Sequence, residues 1–518
     1  MRRRTILAVV CAARFAACGA PSPGAALELG APFSDGVVLQ REMKVPVWGT
    51  ATAGNEVTVS FAGGKSTATV GTDGRWLVRL PEMAASKEGR ELVVTEREPG
   101  WFGSTVDTKT VGDVLVGEVW FACGQSNTEC PIWHDGNSRY RDGKGAMMTA
   151  MTRLPCVRCV KTPRVYGAPD RNKLRARWLK FVPENFVAGP GESHWKLLSG
   201  VAWYYARELY LALDVPVGII DSSIGGTNID AWTPRAGYEG CDPSIRPTAD
   251  YKLHFGKEWK KECATKVITN AHQQPTVLFN AMVWDYAPMA MRGLIWYQGC
   301  HNAGESELYC AKMHALYAGW SRVFENPDLK LYFAQLAPWE TSWLGLCMAQ
   351  TKFAEEERNA AVAVTADVGN FDDIHPNDKE TVAQRLALHA LKRDYGFAIP
   401  EDDSPVAKGL TVKDGVATVA FDHVKTWYVY NRDMSLGAPF ELAGTNGVWK
   451  AAKLVECGRR FENWQTFGLI EHPELHLKSD EVAEPVAVRY MGRDRTVTTL
   501  YNQASLPLGP FELALEEK

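Results

Sequence analysis

The chain has 518 residues, 46% of them hydrophobic and 23% charged, with a formal net charge of −4. That balance excludes a disordered chain, and it lacks the basic surplus of a nucleic-acid binder. The length suits about two to four domains with substantial cores.

At the N-terminus Arg2, Arg3 and Arg4 precede a short apolar run, Ile6 to Ala13, and small residues follow. This is the layout of an export signal over residues 1–26, which would leave a mature start near Leu27 and place the protein in the periplasm, outside the cell or at its surface. Phe15-Ala16-Ala17-Cys18 loosely resembles a lipobox, so a lipid anchor at Cys18 is the second reading; Arg14 interrupts the apolar stretch under either. Elsewhere no stretch reaches the roughly 20 apolar residues that a membrane span needs. An exported chain can pair its cysteines as disulfides. Cys156-Val-Arg-Cys159 is a lone CxxC, without the second pair or spaced histidines of a zinc site. It reads as a structural disulfide or as unpaired thiols, ahead of redox or metal chemistry.

Residues 27–113 alternate apolar and polar positions in short runs such as Val57-Thr58-Val59-Ser60-Phe61, separated by turn signals such as Gly63-Gly64 and Asp73-Gly74. That pattern predicts a small antiparallel β domain. From Val114 to residue 399, strand-like runs alternate with helical ones, which predicts a parallel sheet covered on both faces. The strand candidates are 118–123, 215–220, 293–297, 329–334 and 361–365, and the helix candidates are 198–213, 276–286, 308–324 and 347–358. Asn377 is the predicted N-cap of a further helix, with Glu380 as its capping-box partner. Residues 400–518 return to a β pattern. The segment Asn137 to Ser193 is rich in Arg, Pro and Gly, fits neither period, and is expected to be an insertion beside the active site.

Ligands of open α/β sheets bind beyond the carboxyl ends of the strands. Four of the predicted strand ends carry polar groups in a suggestive set. Gly124-Gln125-Ser126-Asn127 follows the first, and Asp221 to Thr227, with Gly225-Gly226, follows the second. Gln298-Gly299-Cys300-His301-Asn302 follows the third, and Asp372-Asp373-Ile374-His375-Pro376 follows the fifth. A serine hydroxyl needs a base to take its proton, histidine titrates near working pH, and a carboxylate fixes the histidine tautomer. Asp372, three residues before His375, is the expected acid. Ser126 N–H, a backbone N–H from Gly225 or Gly226, and the Asn302 amide are the candidate oxyanion donors. Each component alone has a plain reading as a turn or solvated loop; their order and strand-end placement together point to acyl transfer.

Gly124-Gln-Ser-Asn127, Ile224-Gly-Gly-Thr227 with Ala231-Trp-Thr-Pro234, Trp296-Tyr-Gln-Gly299 and Asp372-Asp-Ile-His-Pro376 resemble the sialate O-acetylesterase family, a carbohydrate-esterase branch of the SGNH hydrolases. Phe33 to Arg41, Val45 to Thr50, Ala487 to Tyr490 and Leu500 to Asn502 extend the resemblance over nearly all of the mature chain. It implies a flavodoxin-like three-layer α/β/α domain flanked by N- and C-terminal β domains, with no metal or other cofactor required. It implies a serine esterase acting on acetylated carbohydrate, with Ser126 as nucleophile, Asp372 and His375 as acid and base, and Asn302 and a glycine of the second block in the oxyanion hole. Trp232, Trp296 and Gln298 are candidates for lining the sugar site, although both tryptophans read first as core residues.

Two positions depart from the family pattern. Cys300 stands where the family usually has Glu, and Thr128 where it usually has Met. Cys300-His301 invites a cysteine nucleophile as a rival, which would leave Ser126, Asp372 and His375 without a role. A non-catalytic glycan-binding relative is the alternative from another class, motivated by Cys300 and the flanking β domains.

Overall fold

The computed structural model describes residues 26–100, 103–131, 152–165, 174–185, 198–246, 271–430, 439–455, 458–462 and 465–515. Residues 1–25, which carry the expected export signal and Cys18, lie outside it. Among the described residues no helix is long and apolar enough to cross a membrane.

Seven strands form the central layer: β1 (Thr105–Gly124), β2 (Leu154–Lys161), β3 (Leu179–Phe181), β4 (Val217–Ser223), β5 (Gly293–Tyr297), β6 (Lys330–Ala334) and β7 (Ala360–Ala363). They lie in the order β3-β2-β4-β1-β5-β6-β7. Neighbours from β2 to β7 are parallel, and β3 closes one edge antiparallel to β2. Every residue of β4, β5 and β7 is buried, as strands with helices on both faces require. The helices that frame the sheet and the site are α1 (Ser126–Glu129), α2 (Gly200–Leu213), α3 (Ser306–Val323), α4 (Leu344–Glu356) and α5 (Lys379–Arg393). α2 packs on α5 and α3 on α4, which completes a three-layer α/β/α arrangement. Chain order reverses on either side of β1, with β4 on one flank and β5 on the other, so the crevice of this sheet opens where β1 ends.

β1 is unusually long, at 20 residues. Its first half pairs antiparallel with Ser86–Arg97 of the N-terminal β unit, and its second half is the middle of the parallel sheet. The expected boundary at 113/114 therefore falls inside a continuous strand, at Asp113, whose φ is +53°. One apolar core runs through both halves. After α5 the chain builds three four-stranded sheets. Their core gathers Trp427, Leu442, Leu477 and Tyr490, with Val364 and Ala366 joining it from the stretch after β7.

Three expectations need correction. β2 lies within the supposed insertion 137–193, much of which falls outside the described residues. Its apolar run is masked in the sequence by Arg158, which is only 3% exposed and donates to Asp113 Oδ2 at 3.0 Å. Cys156 and Cys159 sit on this strand three positions apart, hence on opposite faces; both are unpaired, like the other described cysteines. The predicted helix 276–286 is a π-helical turn, Phe279–Val283, running into a 3-10 turn, Trp284–Tyr286. All five residues of the first turn are buried, so no amphipathic stripe marks its period. At α5 the cap is Asp378, whose Oδ1 accepts from Thr381 N at 2.9 Å. Glu380 reaches instead to Arg207 Nη2 of α2, at 2.7 Å.

Glu118, fully buried on β1, ties the N-terminal unit to the sheet. It accepts from Arg41 Nε at 2.6 Å, Gln40 Nε2 at 3.0 Å, and Arg292 Nε and Nη2 at 3.1 Å each. Burial works to raise its pKa, but Arg292, Arg41 and Gln40 overcome it and hold the carboxyl below the ordinary glutamate value. Its stabilising effect is thus full above the unfolded glutamate pKa of about 4.3 and is lost as pH falls through the lower folded value. Arg292→Met, which strips a buried carboxylate of its bidentate partner, is expected to cost about 3 kcal/mol in urea unfolding at neutral pH. The loss should shrink in acid.

Candidate functional site

The chain leaves β1 through Gly124, where φ is +148°. A Cβ there would fall 2.4 Å from both Thr128 Oγ1 and the Tyr297 carbonyl, so only glycine permits the turn. The turn is then clamped to β5. Gln125 N donates to Tyr297 O at 3.1 Å, Gly299 N donates to Gln125 Oε1 at 3.0 Å, and Thr128 Oγ1 donates to Tyr297 O at 2.9 Å. Thr128 therefore has a structural task of its own. Ser126 opens α1, where its N–H has no intrahelical acceptor, and its side chain is half-buried.

Asn127, next along, joins this turn to the segment that carries His375. Its Nδ2 donates to Ile374 O at 3.1 Å, and its Oδ1 accepts from Lys379 Nζ at 2.6 Å. Ser126 and His375 are thereby held at one rim of the sheet. No hydrogen bond links Ser126 Oγ to His375 among the described residues; in an unliganded site such bonds are often loose and close with substrate.

The acid facing His375 is Asp373, not Asp372. Asp373 Oδ1 lies 3.1 Å from His375 Nδ1 and accepts from His375 N at 2.9 Å. This Asx turn places a carboxylate two residues before the histidine directly on its ring. The side chain of Asp372 is 84% exposed and pairs with Arg495 Nη2 at 3.1 Å. Burial lowers the His375 pKa below the ordinary histidine value, and the positive charge of Lys379 lowers it further, while Asp373 opposes both.

The second block also differs from expectation. Gly225 approaches the serine so closely that a Cβ would sit 3.2 Å from Ser126 Cβ. Its N–H, however, already donates to Glu129 Oε2 at 2.6 Å and is not an open donor. Glu129 is fully buried and also binds Arg164; burial pushes its carboxyl pKa up despite that arginine. Gly226 has φ +70° and accepts at its carbonyl from Gln273. Asn302 is buried and rigidly held. Its Oδ1 accepts from Ile229 N at 3.0 Å and Gln298 Nε2 at 2.8 Å, and its Nδ2 donates to Glu305 Oε2 at 2.7 Å. An amide nitrogen carries two hydrogens, so one remains for a ligand.

Trp232, Trp296 and Gln298 do not line an accessible site; all three are at most 1% exposed. Trp232 Nε1 donates to Thr227 Oγ1, and Trp296 lies in the middle of the sheet. Gln298 Nε2 donates to Thr227 O and Asn302 Oδ1, which makes it a support for Asn302. Burial pushes the Cys300 thiol up to about 12. That removes the thiolate a cysteine nucleophile requires. Sequence reasoning named Asn127 only as part of its motif and passed over Glu129, Arg164 and Lys379, because the roles of all four depend on contacts between distant segments.

The family model described as "Carbohydrate esterase, sialic acid-specific acetylesterase" matches residues 192–392. A sialate O-acetylesterase from Rattus norvegicus is 28% identical over 403 residues, covering 70% of this chain and 72% of that protein. The one from Homo sapiens is 27% identical over 413 residues, covering 72% of each. The crystal structure of a carbohydrate acetylesterase from Xanthomonas citri superimposes with a TM-score of 0.73 at 28% identity, over 94% of this chain and 99% of that one.

The geometry at the loop before α5 can be checked without any assay of turnover. Asp373→Asn removes the group that, among the described residues, raises the His375 pKa, so the imidazole should titrate at lower pH in NMR. Asp372→Asn should leave it unmoved, and the reverse pattern would restore Asp372 as the acid.

Proposed function

We propose that the chain is a member of the sialate O-acetylesterase family of carbohydrate esterases and works as a serine esterase that removes O-acetyl groups from acetylated glycans. The observation that carries the residue assignment is the Asn127 bridge, which keeps the Ser126 turn and the His375 loop together. Ser126 Oγ attacks the acetyl carbonyl. His375 Nε2 takes its proton, because Nδ1 is the nitrogen turned to Asp373. Asp373 fixes that tautomer and stabilises the imidazolium. The tetrahedral oxyanion is received by Ser126 N–H, Gly226 N–H and the second Nδ2 hydrogen of Asn302. Gly225 contributes by its lack of a side chain. Collapse of the intermediate, with the proton returned from His375, frees the sugar hydroxyl and leaves an acetyl-enzyme. Water, deprotonated by His375, then releases acetate. Export of the enzyme is part of the same proposal, supported by Arg2 to Arg4 ahead of Ile6 to Ala13.

Ser126→Ala should lower release of acetate from a chromogenic ester and from acetylated sugars by about 10³-fold or more. Circular dichroism should be unchanged; a well-folded variant with retained turnover would overturn the assignment. A base with a lowered pKa stays neutral to lower pH. The acid limb of kcat/KM should therefore fall below the ordinary histidine value of about 6.5, and a limb above it would contradict the environment described for His375.

A further inference from the structure

Lys379 is the first residue of α5 and is 5% exposed. Its position is costly twice over. Burial disfavours the ammonium, and a positive charge opposes the dipole at a helix N-terminus. The groups facing it are Asp373 and His375 on the preceding loop, Asp378 beside it, Cys130 after α1 and Cys300 after β5. The Tyr297 ring centroid lies 5.6 Å from Nζ. Among the described residues no carboxylate accepts a hydrogen bond from Nζ; its acceptor is Asn127 Oδ1.

That bond decides which way Asn127 faces. Lysine can only donate and a backbone carbonyl can only accept, so an amide placed between Lys379 Nζ and Ile374 O has one satisfactory orientation. We propose that Lys379 is the positioning residue for His375: it fixes the Asn127 amide, and through it the Ile374 carbonyl that keeps His375 beside Ser126. This rests on the reading of His375 as the general base. The lysine acts a second time through its charge, which disfavours the imidazolium. Cys300 leaves that field intact, because its thiol stays neutral at working pH.

The test uses the full chain with Lys379→Met, Lys379→Arg and Cys300→Glu, read by NMR titration of the His375 imidazole and by the pH dependence of kcat and KM on a chromogenic acetate ester. Lys379→Met frees the Asn127 amide, and kcat should fall about ten-fold with KM changed less than about two-fold. His375 should then titrate at higher pH. Lys379→Arg keeps the charge and the donor, and should restore the low titration and part of kcat. Cys300→Glu leaves the lysine in place but neutralises its field, so His375 should again titrate higher. This arm decides the matter should Lys379→Met not fold. A folded Lys379→Met with kcat and His375 titration unchanged, or a Cys300→Glu with titration unchanged, overturns the proposal. If Ser126→Ala retains turnover, the esterase assignment fails separately, and the NMR arms still report the coupling of Lys379 to His375.

Discussion

The side chain of Asn127 offers one acceptor and one two-hydrogen donor, and both are used on neighbours from a single distant segment. Its oxygen takes the ammonium of Lys379 and its nitrogen holds the carbonyl of Ile374. Nothing else described in the structure joins the turn after β1 so directly to the loop before α5. The serine and the histidine are thus placed by a residue that itself performs no chemistry. The bond to Lys379 is buried and shielded from competing water, so it is worth more than an exposed counterpart, and the bond to Ile374 is partly buried.

The fold prepares that meeting point at longer range. β1 has its partner strands on opposite sides of the chain reversal, so the residues after Gly124 emerge into the crevice of the sheet. Some six residues earlier on the same strand, about 20 Å away, Glu118 gathers Arg41, Arg292 and Gln40. A single strand therefore anchors the N-terminal β unit at one place and presents Ser126 at its end. At the far side of the sheet Val364 and Ala366 enter the core of the C-terminal unit. Arg495 of that unit pairs with Asp372, so the loop holding His375 is braced from two directions.

Much of this was legible from sequence because it is local. Continuous apolar runs mark the buried parallel strands, and glycine-flanked polar clusters mark their ends. What escaped was decided by tertiary contact. The choice between Asp372 and Asp373 turns on an Asx turn that spacing alone does not distinguish. Gly225 was a sound choice for closeness to Ser126 but a poor one as donor, because Glu129 had already engaged its N–H. Trp232, Trp296 and Gln298 flank the right motifs, yet they point into the packed layers beneath them. β2 was lost because Arg158 interrupts its apolar run, and that buried arginine is paired with Asp113 of β1, two strands away in the sheet.

Glu129 poses the remaining electrostatic question. A carboxylate bound to the N–H of Gly225, against the turn that carries Ser126, would repel negative charge developing on a bound carbonyl. Two features limit that repulsion. Burial raises the carboxyl pKa, which favours the uncharged form, and Arg164 balances whatever charge remains. On the opposite side Lys379 supplies a buried positive charge next to the histidine. Burial thus works against the charge of both groups, and on the proposed reading of Ser126 and His375 whatever positive charge Lys379 keeps disfavours protonation of His375. Removing the acid would not simply improve the site, because the same carboxylate holds the N–H of Gly225 where the absent side chain leaves room for Ser126.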